Sequence, residues 1–434
     1  MLETTASQST RLGADLGIFA RLGLLFGLIM PLISAVIYHT YAHIVHPAAL
    51  EWTRLIELPF ICAELIVIVW SRKRGFDDAS YWRAMSRDLQ IAAAALVIGL
   101  LASSIFLSKS VPYSLTLSLF TLVHCRFALA VHYLAVVGAK ETRAQSIDQA
   151  AYWISAGLVS LVVITAVKFA FPLPQPGPDE MVAYKHALPG FISVRHFGSW
   201  FGAMAAALGV AVLFSKARGV ALVDLLFALA FGVTFWTGTR AALLAIIAVC
   251  LWMALSAKGW PQWRALAKLI GLAALGAICA IPLLPPDPVF MMIGSQDYSS
   301  SAHATAGRLE MWTQSFEAWL ASPIFGWGSG STIWMLNVGW MHTQPHNALL
   351  QFLLSWGLVG TLGAGYLLAR ALWSAHFGAI NDAKLRPVLA MVYALLAMSM
   401  LSGTLYYPRF IIMIVGGLAV LLALSKSSKA PATA

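Results

Sequence analysis

Residues Ile91 to Leu107 read IAAAALVIGLLASSIFL, and residues Ala241 to Leu255 read AALLAIIAVCLWMAL. Neither run carries a charge, and neither alternates apolar with polar as the strands of a membrane barrel do. An amphipathic helix on a soluble core would show a polar stripe, and none is present. Segments apolar on all sides belong in lipid, where roughly 20 such residues span the bilayer as a helix. Working outward, similar runs recur near residues 16–38, 55–70, 89–108, 114–138, 150–171 and 197–214. They recur again near 220–236, 241–257, 267–283, 346–369, 388–405 and 410–425. The pattern predicts an all-α polytopic membrane protein of about 12 transmembrane helices, one integral domain over residues 1–434.

Composition excludes other classes. Of the 434 residues, 60% are hydrophobic and 11% charged, against roughly 25% charged in soluble domains. A soluble enzyme on a single anchor is ruled out. The formal charge of +10 does not imply nucleic acid, because cytoplasmic loops of membrane proteins accumulate Lys and Arg. With the N-terminus placed inside, 18 of the 28 basic residues fall in inner loops and 7 in outer ones. Both termini are therefore expected in the cytoplasm, with no removable signal peptide. Cys62, Cys125, Cys250 and Cys279 lie inside apolar runs and are expected to be free, buried thiols.

Two outer loops stand out. Residues 172–195 are Pro-rich, and residues 284–345 form the longest polar interruption in the chain. The second opens on Pro285, Pro286 and Pro288, which forbid a helix there. From Gly307 to Leu320, Leu309, Trp312, Phe316, Trp319 and Leu320 then follow the spacing of one helix face, as in helices that lie at a membrane interface.

Arg195, Arg240, Arg308 and Arg409 all sit on the outer side. Arg240 is held in the short link Thr237-Gly238-Thr239-Arg240 at headgroup level. A guanidinium offers a fork of donors that matches phosphate oxygens; snorkelling to lipid headgroups or a local ion pair is the alternative reading. In Met341-His342-Thr343-Gln344-Pro345-His346-Asn347, where the long loop re-enters the membrane, His346 is expected near the first turn of a helix. The positive end of a helix keeps an imidazole neutral and basic, which suits a general base; a packing or capping histidine is the alternative. His39, His43 and His46 share a helical face, but no acidic cluster completes a metal site, and no metal requirement is expected. Arg21, Glu64, Arg126 and Lys168 lie within spans, where they mark an ion path or pair with one another.

The runs Gly307-Arg308-Leu309-Glu310-Met311-Trp312, Pro323-Ile324-Phe325-Gly326-Trp327-Gly328 and His346-Asn347-Ala348-Leu349-Leu350, with Gly357 and Gly360 beyond, resemble the O-antigen ligase and polymerase superfamily. Thr237-Gly238-Thr239-Arg240-Ala241-Ala242 is similar to that family's small-Gly-small-Arg entry to a helix. The motifs cover about residues 190–365, and the topology covers the whole chain. The resemblance implies a GT-C-like glycosyltransferase of the bacterial inner membrane with a periplasmic active site. Its donor would be a glycan on undecaprenyl diphosphate, and for the O-antigen ligases the acceptor is a sugar hydroxyl of the lipid A core. By the same resemblance, His346 would be the general base and Arg240 and Arg308 would hold the diphosphate. Arg195 would join them on a looser match; His342, Asn347 and Arg409 are the further residues expected at the substrate site, with no cofactor and no metal. Membrane lipids are the expected surroundings and nucleic acid is not a partner. An O-antigen polymerase or a protein O-oligosaccharyltransferase would share the donor. The length of the chain and its single long outer loop favour the ligase. A transporter would place its ionisable residues near the midplane rather than on one face.

Overall fold

A computed structural model describes residues 16–41, 58–171, 188–191, 193–216, 219–285, 308–336 and 344–427. Helix α1 (Ile18–Gly23) passes through a π-helical turn, Leu24–Ile29, into α2 (Met30–Tyr41). Then come α3 (Leu58–Lys73), the short α4 (Asp78–Ala84), α5 (Arg87–Ala102) and α6 (Val111–Ala170). Helices α7 (Val194–Leu213), α8 (Leu222–Trp236), α9 (Arg240–Ser256) and α10 (Trp263–Ala280) follow. The chain continues with α11 (Arg308–Leu320), a single turn α12 (Thr332–Met335), α13 (Ala348–Ala379), α14 (Arg386–Ser399) and α15 (Pro408–Ser427).

Each of the expected spans falls on a helix, and the protein is an all-helical polytopic membrane protein. Among the described residues, eight helices are long and apolar enough to cross a membrane; Leu222–Trp236, Arg240–Ser256 and Arg386–Ser399 are shorter apolar helices. The 60 residues of α6 make two spans, Val111–Lys140 and Ile147–Ala170. Phe127 packs edge-on against Phe26 with ring centroids 5.3 Å apart, while the next residue, Gly27, lies against Ile154. On one straight helix Phe127 and Ile154 would be about 40 Å apart, so the chain reverses between them.

Small residues let the helices close up, as is usual where lipid supplies no hydrophobic drive between them. A Cβ at Gly99 on α5 would collide with the backbone of Gly360 on α13. The deepest core surrounds α7, with Phe197, Phe201, Phe227 and Phe410 fully buried.

The residues expected inside the membrane do not pair with one another. Glu64 meets His124 at 2.7 Å, whereas Arg126 binds Asp78 of α4 at 2.6 Å and so belongs to the end of the bundle that carries α4. Arg21 donates to the Leu16 carbonyl. All four cysteines are free, but only Cys250 is buried; Cys62, Cys125 and Cys279 lie on the outside of the bundle, which corrects the expectation of buried thiols. Along the expected interface helix, now α11, Leu309, Phe316 and Leu320 are exposed while Met311 and Ser315 face the protein.

Candidate active site

The end of the bundle opposite α4 gathers five segments: the start of α7, the α8–α9 link, α11, the turn before α13 and the α14–α15 link. Helix α7 begins at Val194, with Ser193 capping it by accepting from the Arg195 N–H. Arg195 is thus in the first turn and not in the preceding loop. Its guanidinium donates to the Thr237 carbonyl at 2.7 Å. That bond clamps the Thr-Gly-Thr-Arg link from one side. The hydroxyls of Thr237 and Thr239 bond each other at 2.8 Å, and Gly238 turns the chain with φ of 60°. Gly198 of α7 leaves room for both threonine hydroxyls, where a Cβ would collide with them. The link thereby launches α9 with Arg240 as its first residue, exposed at the mouth of the site.

Arg308 opens α11 and is close enough to Arg240 for their charges to interact. Burial first, and the Arg240 charge second, hold its guanidinium below the usual range. Like charges brought together are unfavourable, and an anion between them relieves the repulsion. The other anchor of α11 is Trp312, whose indole N–H donates to the Pro345 carbonyl at 2.9 Å.

His346 follows Pro345 but is not in a helix. Asn347 is the N-cap of α13, accepting from the Leu350 N–H at 3.1 Å, so His346 stands one residue before the cap. Its φ of 56° makes it the one non-glycine with positive φ among the described residues. Such backbone is uncommon outside glycine and has to be held in place. Gln344 holds it twice: Oε1 accepts the His346 backbone N–H at 2.8 Å, and Nε2 lies 2.9 Å from Nδ1 of the ring. The Gln344 amide in turn lies against Gly403, where a Cβ would come within 2.8 Å of both Gln344 Nε2 and the Tyr407 ring. Sequence reasoning missed Gln344 and also His196, which is buried and packs on Tyr407 with ring centroids 4.2 Å apart. His196 interacts electrostatically with Arg409 and His346. The one available signal for it was its place directly after Arg195.

Arg409 is buried, bonded to the Gly190 carbonyl and seated over Phe191 at 4.5 Å and Phe60 at 5.2 Å. Those contacts tie α15 to the segment before α7. His342, with His43 and His46, lies outside the described residues. Among the described residues no group of three potential ligands is placed to hold a metal.

The Gly-x-Gly stretch has a structural role of its own. Helix α13 is broken at Gly357, where φ is 59° and ψ −164°. Residues 323–328 enter the break: Trp327 and Gly328 donate to the carbonyls of Leu354 and Ser355, and Leu358 and Val359 donate to those of Pro323 and Ile324, all at 2.8 to 3.1 Å. Backbone groups freed inside a membrane must find partners within the protein, and here one loop supplies all four. Gly326 and Gly328 have φ of 70° and 92°. Behind the loop, Ser329 joins Ser118 and Trp356 at 2.8 Å each, and Ser118 joins Ser104. The inserted loop and α11 thus brace the turn that bears His346.

No curated protein matches the chain. The O-antigen ligase family model matches residues 225–365, a stretch that contains Arg240, Arg308, His346, Asn347 and the broken helix but neither Arg195 nor Arg409. That segment, which forms most of the arginine and histidine site at one end of a polytopic membrane bundle, is thus an O-antigen ligase family domain, and it supports membership of the O-antigen ligase/polymerase superfamily.

Proposed function

We propose that this protein is an O-antigen ligase. It takes the O-antigen glycan from undecaprenyl diphosphate and transfers it to a sugar hydroxyl of the lipid A core, at the periplasmic face of the inner membrane. The observation that carries the reading is that Arg308, whose charge interacts with that of Arg240, opens the helix that Trp312 ties to the Gln344-Pro345-His346 turn. Two guanidiniums at a membrane surface suit a lipid-linked diphosphate, whose oxygens they bind in bidentate fashion.

The chemistry asks little else of the site. The acceptor oxygen forms a bond to the anomeric carbon as the bond from that carbon to the diphosphate oxygen breaks, and undecaprenyl diphosphate leaves. The arginines stabilise the charge that grows on the leaving group and fix the donor in place. His346 takes the acceptor hydroxyl proton as general base and passes it to water. Attack from the face opposite the diphosphate inverts the anomeric centre. The arginines supply the charge stabilisation for which many glycosyltransferases use a metal, so the reaction is expected to proceed in a chelator.

The test is transfer by purified protein in detergent with EDTA, from undecaprenyl diphosphate-linked glycan to rough lipopolysaccharide, beside His346→Ala. Capped lipopolysaccharide from the wild type and none from the variant is the expected result. Lengthened glycan still on its lipid would make the protein a polymerase instead, and an untouched donor would remove the glycosyltransferase reading.

A further inference from the structure

The Gln344 contacts decide which nitrogen of His346 carries the proton. A backbone N–H can only donate, so the Gln344 atom that receives the His346 N–H at 2.8 Å is the carbonyl oxygen. The other half of the amide is then the NH2 group, which can only donate, and it faces Nδ1 at 2.9 Å. Nδ1 is therefore an acceptor, and in the neutral ring the proton sits on Nε2. That form offers substrate a donor. A general base must instead present a bare nitrogen to the acceptor hydroxyl.

We propose that Gln344 is a positioning residue that masks the base, holding His346 in the Nε2–H form until acceptor binding turns the amide. Turning it by half a revolution lets Oε1 accept from Nδ1–H, so the ring takes a proton from water at Nδ1, gives its Nε2 proton to water, and bares Nε2. The same rotation points the NH2 group at the His346 N–H and forfeits that bond. The two states thus differ by about one hydrogen bond, a gap that binding can bridge. Gln344 is nearly fully buried with its amide against Gly403, and the bond from the His346 N–H sets its resting orientation.

The consequence is a choice between two nucleophiles. A base left bare beside an activated donor would deprotonate water as readily as a sugar hydroxyl, and the glycan would be hydrolysed from its lipid. The bond from carbon to the diphosphate oxygen would break, and water would supply the new oxygen. Masking confines base action to the acceptor-bound site. This inference rests on the proposed function for the role of His346, but the state of the ring can be read without any turnover.

The experiment uses the full chain in nanodiscs with 15N-labelled histidine, the His346 signals being assigned by their loss in His346→Asn. The expected wild-type spectrum has a protonated Nε2 and an unprotonated Nδ1. Gln344→Glu, whose carboxylate accepts from both N–H groups, should reverse the two. It should also raise release of free glycan from the donor without acceptor by about tenfold, the rate equivalent of one hydrogen bond. A wild-type ring protonated on Nδ1, or a Gln344→Glu protein with the reversed ring and unchanged hydrolysis, would overturn the masking proposal. If His346→Ala retained transfer while the wild-type ring showed the Nε2–H form, the general-base role would fail and the assignment of the resting tautomer would stand.

Discussion

The indole N–H of Trp312 donates to the carbonyl of Pro345 at 2.9 Å, tying the helix that begins at Arg308 to the residue before His346. This bond is thereby one of the ties between the donor-binding and acceptor-activating groups of the proposed site. Trp312→Phe keeps the ring and loses the N–H. A hydrogen bond of this kind contributes about 0.5–1.5 kcal/mol, so transfer should fall up to about tenfold. The melting temperature in detergent should change little, because α11 keeps its other contacts. An unchanged transfer rate would show that the tie does not position the site.

Arg240 and Arg308 act on one anion in this reading, so their effects should not add. Arg240→Ala and Arg308→Ala should each abolish measurable transfer while the protein still purifies as a folded species. Arg240→Lys and Arg308→Lys should recover only part of it, because an ammonium lacks the planar fork. In the pair of lysine variants combined, the loss should differ from the sum of the single losses by about 0.5 kcal/mol or more. Additive losses would place the two guanidiniums on separate ligands.

Much of the bundle was legible because lipid demands one thing of a helix, apolarity on every side, and that is local in sequence. The Thr237 to Arg240 link was legible for a similar reason: glycine and small hydroxyl residues between two apolar runs leave little choice but a tight turn. What escaped is long-range. Nothing near His196 points to Tyr407, which lies far along the chain, and nothing near Gln344 announces that both halves of its amide are used on the residue two positions later. The Gly-x-Gly stretch at Gly326 and Gly328 was visible as a motif, but its insertion into a break at Gly357 depends on two segments meeting. Arg409 is also of this kind: nothing in its tight link shows that its guanidinium engages the Gly190 carbonyl and the face of Phe191.

The break in α13 should be a stability determinant. At Gly357 the backbone has φ of 59° and ψ of −164°, a region that L side chains avoid, and a Cβ there would collide with the backbone of Ile324. Gly357→Ala should therefore expel the 323–328 loop and expose four backbone hydrogen bonds at membrane depth. The cost should exceed about 1 kcal/mol and appear as a lower melting temperature together with lost transfer. Trp356→Phe, which removes only the bond to Ser329, should have a milder effect of the same sign. A Gly357→Ala protein as stable as the wild type would mean that the break is not needed to seat the loop.

Glu64 and His124 make the strongest case for a purely structural polar pair. Glu64 is fully buried on α3 and His124 nearly so on α6, with Nδ1 2.7 and 2.9 Å from the two carboxylate oxygens. A buried pair costs desolvation that its attraction only partly offsets, so removing one partner is far worse than removing both. Glu64→Leu or His124→Leu alone should destabilise the protein by about 3–5 kcal/mol, seen as loss of folded material in detergent. Glu64→Leu with His124→Leu should regain most of that stability and retain transfer, since the two groups bond to each other and not to Arg240, Arg308 or His346. Were the pair part of a proton or ion path, the double variant would fold and yet be inactive, which is the outcome that would move these two residues from architecture into mechanism.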